Sequence, residues 1–298
     1  VEVSAKPSGQ RLQATRSRTE ENQGSLRKLV SLGTFVGACF GMLMTVLRFP
    51  VVAHLALMSA VIVAGLALCV RDIPAGFGRR EAVDRGAVAP APVAAPWRDT
   101  RLLLLGGVIL ALAMAEGTAN DWLPLIMVDG HGFDAAWGSA AFAVFALAMT
   151  LGRFVGGVFV NRFGRAAVLA ASALVGAVGM AGVVFVDHQP AVVASVLLWG
   201  LGASLGFPVA LSAAGDTGRE TTGAETASRV AFAATIGYIA FLVGPPVLGI
   251  VGEHFGLRQA MLLVLVLVLV AVLLTPAART VRPAREPEPE PVEKSDRV

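Results

Sequence analysis

The apolar residues of this 298-residue chain are not dispersed; they gather into blocks of roughly 20, with the charges between the blocks. An α-helix rises about 1.5 Å per residue, so a block of that length matches a hydrocarbon layer about 30 Å thick. A helix in a water-soluble core seldom runs so far without a polar face. Eight blocks qualify, at 29–47, 50–70, 102–128, 136–159, 166–186, 191–214, 230–250 and 259–275. The last contains LVLVLVLV at 263–270, an alternation that suits a strand, but its flanks extend the run to 17 residues between Arg258 and Pro276. Backbone in lipid must satisfy its own hydrogen bonds, so a helix is predicted there as well. The expected fold is an all-α integral membrane bundle of about eight transmembrane helices.

Lys and Arg accumulate on the cytoplasmic side of membrane proteins, which turns the connections into a test of this count. With eight spans, 22 of the 24 Lys and Arg residues fall on one side and only Arg48 and Arg258 on the other. A missed or misplaced span would scramble that asymmetry. Both termini are therefore expected in the cytoplasm of a bacterial cell, with the spans in its inner (plasma) membrane. The divisions that follow are a polar segment at 1–28, two spans at 29–70, a linker at 71–101, six spans at 102–275 and a tail at 276–298. The linker includes APAPVAAP at 89–96 and the tail EPEPEP at 286–291, so both read as extended or disordered. No cleavable signal peptide stands out in residues 1–28, which lack an apolar core.

Other classes find little support. The net charge of +3 is spread over many short connections, which argues against nucleic acid as a partner. Cys39 and Cys69 lie inside apolar blocks and read as small packing residues. His54, His131, His188 and His254 fall at the predicted outer face without metal-ligand spacing. No metal, cofactor, phosphate loop or nucleophile motif is predicted, and an enzyme is not expected.

Between the fourth and fifth spans stands GVFVNRFGR at 157–165. It resembles the cytoplasmic signature of the major facilitator superfamily: Gly157, Arg162, Gly164 and Arg165 match, while Asn161 stands where that family usually has Asp. EGTANDW at 116–122, WGLGASLGFP at 199–208 and GPPVLG at 244–249 are similar to further stretches of the same family. The resemblance implies that 102–275 is the C-terminal six-helix half and 29–70 the last two helices of the N-terminal half. The family has twelve spans, so the chain reads as truncated at its N-terminus relative to that pattern. It also implies that spans three and six line a central cavity, and that Arg162 and Arg165 help hold a cytoplasmic gate.

The residues nominate their own candidates. Glu116 lies near the middle of its span, where a charge is costly and usually faces a cavity or a partner. Asn120 is four residues on and shares its helix face, and Asp121 follows toward the outer end. Gly117 and Pro124 weaken the backbone between them, as in the broken helices of transport sites. In span six, Trp199 and Ser204 are candidates to meet a substrate, with Gly202 and Gly206 read as a close helix approach. Gly33, Gly37 and Gly41 in span one read as a tightly packed groove, and Arg153 as a residue that snorkels or pairs with a carboxylate. The function expected is secondary transport of a small solute by alternating access, with protons coupled through Glu116. The alternatives are an inactive fragment or a non-transporting scaffold or signalling subunit.

Overall fold

The computed structural model describes residues 32–71, 96–216 and 223–279, and every regular element among them is helical. The order is α1 (Leu32–Val46), then α2 (Val51–Arg71), α3 (Thr100–His131), α4 (Ala135–Phe163), α5 (Arg165–Phe185), α6 (Gln189–Gly215), α7 (Gly223–Phe255) and α8 (Leu257–Leu274). Short 3-10 turns precede α3 (Pro96–Arg98) and follow α8 (Thr275–Ala278). Seven of these helices are long and apolar enough to cross a membrane, and α1 adds a shorter apolar helix. The chain is a multi-pass α-helical membrane protein. The LVLVLVLV run is helical throughout, inside α8.

Four helices, α3, α4, α6 and α7, outrun at both ends the apolar blocks that predict them. The clearest case is α7, expected at 230–250 and observed from Gly223 to Phe255. Hydropathy marks the stretch that suits lipid, whereas the hydrogen-bond ladder continues into the polar interface. Arg229, expected in a connection, therefore sits inside α7, and it is only 6% exposed. The ordered body also reaches past both expected boundaries of the six-span unit. Asp99 caps α3 by accepting from the Leu102 amide at 3.1 Å. Arg101 donates to the carbonyls of Ala277 and Arg279, each at 2.8 Å, so the beginning of the predicted tail is fixed. These guanidinium bonds satisfy carbonyls at the end of the 3-10 turn that follows α8. The polar segment 1–28, most of the linker and the rest of the tail lie outside the described residues.

The body forms around α3, whose most apolar window is 72% buried, against 22% for α7 and none for α2. α3 packs on α4, α6, α7 and α8, while α5 packs on α6 and α8. Glycines set the closest approaches. A Cβ at Gly200 would strike the Phe145 carbonyl of α4, one at Gly202 the Gly176 backbone of α5, and one at Gly206 the Leu112 side chain of α3. Three glycines on α6 thus admit three different neighbours, and Gly202 and Gly206 serve different interfaces. On α5, Gly179 and Gly182 abut Trp199 and Ser195 of α6 in the same way.

α1 joins through Phe35, Ala38 and Cys39, which meet Phe142, Ala143 and Ala146 of α4. Its glycine face is not filled as the sequence suggests: a Cβ at Gly33, Gly37 or Gly41 would meet nothing within 4 Å. Gly37 and Gly41 instead line a groove of about 750 Å³ with Arg48, His54, Pro124 and Ser139.

Candidate functional site

Glu116 lies in the most buried helix, flanked by the buried Ala115, Gly117, Thr118 and Ala119. Its side chain is 13% exposed. The partner comes from α4: Arg153 Nη2 donates to Glu116 Oε1 at 3.0 Å. The same guanidinium donates through Nε to the Ser204 carbonyl of α6 at 3.3 Å. That carbonyl is available because Pro208, four residues on, has no N–H to return to it. Close packing makes the double reach possible, since a Cβ at Gly152 would collide with the Ser204 side chain. One arginine therefore bridges a carboxylate on α3 and a proline-freed carbonyl on α6. Sequence reasoning flags Glu116 and leaves Arg153 between two readings; the structure joins the two residues.

The other candidates divide. Asn120 is exposed one turn along α3 from Glu116, and Asp121 beside it is exposed as well. Trp199 is 1% exposed and meets the Phe145 ring edge-on at 5.5 Å. Its backbone abuts Gly179, so the residue sits in helix packing, with its Nε1 buried and unpartnered. Ser204 is also buried, and its hydroxyl donates to the Leu201 carbonyl at 2.6 Å. What Ser204 offers the site is its carbonyl, not its hydroxyl.

In the 157–165 motif, a Cβ at Gly157 would meet nothing within 4 Å, and Asn161 is exposed. Gly164 has φ +80°, a conformation that favours glycine, and it both ends α4 and precedes α5. Arg162 lies over the Phe163 ring at 5.5 Å. Arg165 Nη1 donates to Asp216 Oδ2 at 2.5 Å, next to the end of α6. A second tie lies at the same basic end of the bundle. Arg229 donates to Asp99 Oδ2 at 2.5 Å and to the Ala214 carbonyl at 3.1 Å. Two arginines thus converge on the C-terminus of α6, where open carbonyls and the helix dipole favour cations. Burial pushes the Asp99 carboxyl up; the Arg229 hydrogen bond and charge, with the Leu102 and Arg101 amides, outweigh this and hold it below its ordinary value. Asp99, Asp216 and Arg229 escape sequence reasoning, because partners up to 130 positions apart leave no spacing to read.

The opposite end is fastened too. Arg258 donates to the Val184 carbonyl at 2.7 Å and to Asp187 Oδ1 at 2.6 Å. Among the described residues, no three His, Cys, Asp or Glu side chains gather as a metal site would require.

The sequence of this bundle has clear relatives. The Major Facilitator Superfamily profile matches residues 23–224 and 138–297. The chain belongs to the major facilitator superfamily. Among curated proteins it is 32% identical over 159 residues to an uncharacterized MFS-type transporter of Yersinia pestis, covering 53% of this chain and 40% of that protein. It is 30% identical over 270 residues to the uncharacterized transporter y4wD of Sinorhizobium fredii, covering 88% of this chain and 68% of that protein. Membrane protein MosC of Rhizobium meliloti is 28% identical over 170 residues, 56% of this chain and 40% of its own length. The chain thus spans between two fifths and two thirds of the lengths of these relatives. In the 157–165 turn, Arg165 takes its carboxylate from Asp216.

Proposed function

We propose that this protein is a secondary active transporter that moves a small solute by alternating access, with Glu116 carrying the coupled proton. Two relatives named as transporters and the superfamily itself favour transport over enzymatic chemistry. The observation that carries the reading is the Glu116–Arg153 pair within the membrane-spanning part of α3 and α4. An ion pair there is expensive to maintain, and such pairs mark substrate and ion pathways. Glu116 is the member able to change charge, because a guanidinium stays protonated at all working pH values.

Protonating Glu116 weakens its hold on Arg153, and Arg153 also holds the Pro208 break in α6. A proton at one carboxylate is thereby linked to the geometry of three helices. The ties at the basic end join α5 to α6 and α3 to α7, all within one six-helix body. They suit a body that rocks as a unit around its site. In this reading the basic end faces the cytoplasm of a bacterial cell and the spans lie in the inner membrane.

The test is a comparison of two fluxes in vesicles, using a solute found by screening radiolabelled metabolites against the full-length protein. Glu116→Gln keeps shape and hydrogen bonding but carries no proton. It should preserve counterflow while abolishing accumulation driven by a proton gradient. Unchanged accumulation in this variant removes Glu116 from the mechanism.

A further inference from the structure

We infer that a groove at the basic end of the bundle is a docking site for this chain's own acidic segment, residues 286–293. The inference is independent of the transport reading above. The groove has a volume of about 520 Å³. Phe163, Gly164 and Arg165 line it from the junction of α4 and α5, and Thr275, Pro276 and Arg279 line it from beyond α8. Alanines of α5 complete its wall, and among the described residues no carboxylate lines it.

Positive charge is in excess around this groove. Asp216 and Asp99, the carboxylates at this end, are taken by Arg165 and Arg229. Glu225 opens α7, which does not line the groove. Arg162 lies over the Phe163 ring, and Arg101 donates to the backbone carbonyls of Ala277 and Arg279. Among the described residues, neither of these arginines nor Arg279 forms a salt bridge with a carboxylate. A ligand with several negative charges would therefore meet cations that nothing in the described bundle neutralises. α5 also begins without a side-chain cap, so the amides of its first turn stand beside Arg165 as further donors to a carboxylate.

The sequence just beyond Arg279 supplies that ligand. Residues 286–293 read EPEPEPVE, with carboxylates at Glu286, Glu288, Glu290 and Glu293 and no basic residue between them. Glu286, Glu288 and Glu290 each precede a proline, which biases them toward extended backbone. A segment restrained in this way loses little conformational freedom on docking, and the same bias works against its folding back onto Arg282 and Arg285. Glu286 follows Arg279, itself a wall of the groove, by seven positions, a reach of at most about 23 Å. So short a tether holds the segment at an effective concentration on the order of millimolar, and weak exposed ion pairs then suffice to seat it. An anionic lipid headgroup carries similar charge but has no such tether. Once docked, the segment joins the α4–α5 junction to the end of α8 through the two arginines that line the groove.

The experiment measures the distance between two spin labels on the full chain in nanodiscs of phosphatidylcholine. One label sits at Leu174→Cys, an exposed position of α5 one turn from Ala170, and the other at Val292→Cys, with Cys39 and Cys69 replaced by Ala. At low salt the distances should form one narrow peak. At about 1 M salt, where charges are screened beyond about 3 Å, the peak should spread into the broad distribution of a free chain. Replacing Glu286, Glu288, Glu290 and Glu293 together by Gln should give the broad distribution at every salt concentration. Arg279→Gln, at an exposed position outside the helices, should lower the salt concentration at which the peak is lost, and Arg279→Lys should leave it near that of the wild type. A broad wild-type distribution at low salt, a narrow peak that survives the four Gln substitutions, or a salt profile indifferent to Arg279→Gln would overturn the inference. Loss of the peak when phosphatidylglycerol replaces the neutral lipid would overturn it too, by giving the groove to a lipid headgroup.

Discussion

Asp99 closes the first turn of α3 and holds Arg229, and its titration can be read out separately from transport. Its carboxyl lies below its ordinary value in the folded protein, so its stabilising contribution is complete above the unfolded carboxylate range, about pH 4. That contribution fades as pH falls through the lowered folded value. The melting temperature of the wild type should therefore drop on acidification below about pH 4, while Asp99→Asn should start lower and change less over the same window. At neutral pH the substitution should cost roughly 1–3 kcal/mol, because it removes the charged partner of a buried arginine. A flat wild-type profile down to about pH 3, roughly one unit below the unfolded value, would contradict this. At this scale the sequence is legible where one residue breaks a rule by itself. Glu116 announces itself as a carboxylate in an apolar run, whereas Asp99 and Asp216 look like ordinary loop acids until the fold brings Arg229 and Arg165 to them.

Glycine and proline decide the behaviour of the helices, and they do so unequally. A Cβ at Gly179 would strike the Trp199 backbone, which cannot rotate aside, but one at Gly157 meets nothing within 4 Å. Gly179→Ala should therefore destabilise the fold by roughly 1–3 kcal/mol, while Gly157→Ala should be neutral or stabilise it by up to about 1 kcal/mol. Thermal unfolding of the two variants in one detergent tests the contrast, and equal losses would contradict it. Pro208→Ala returns an N–H to the Ser204 carbonyl and so displaces the Arg153 bond. It should raise the melting temperature and slow solute exchange; faster exchange would show that the break in α6 is not part of the moving machinery. The helices themselves are legible because lipid demands long apolar runs. Their ends are not, because α7 carries Glu225 and Arg229 on helical backbone that hydropathy assigns to a connection. The glycine face of α1 misleads for a related reason: smallness permits close packing, but a neighbour must also be there, and α1 meets α4 through Phe35, Ala38 and Cys39.

For the whole molecule, the basic asymmetry and the six-helix body belong to one account. If the Arg165 end faces the cytoplasm, a green fluorescent protein fused after Val298 should fluoresce in a bacterial host, and alkaline phosphatase fused there should stay inactive. Active phosphatase would reverse the bundle. The family was legible from a short turn motif together with the alternation of long spans, since both survive in a single sequence. The pairing of Glu116 with Arg153 was not, because it depends on α3 and α4 meeting in register and on Pro208 freeing a carbonyl in a third helix. The central claim is that this pair moves protons with solute, and the most direct measurement is proton flux during downhill solute entry. In vesicles without an imposed gradient, an external pH dye should report alkalinisation as the solute enters through the wild type. With Glu116→Gln the solute should still enter and the dye should stay silent; alkalinisation of equal size in that variant would contradict the account.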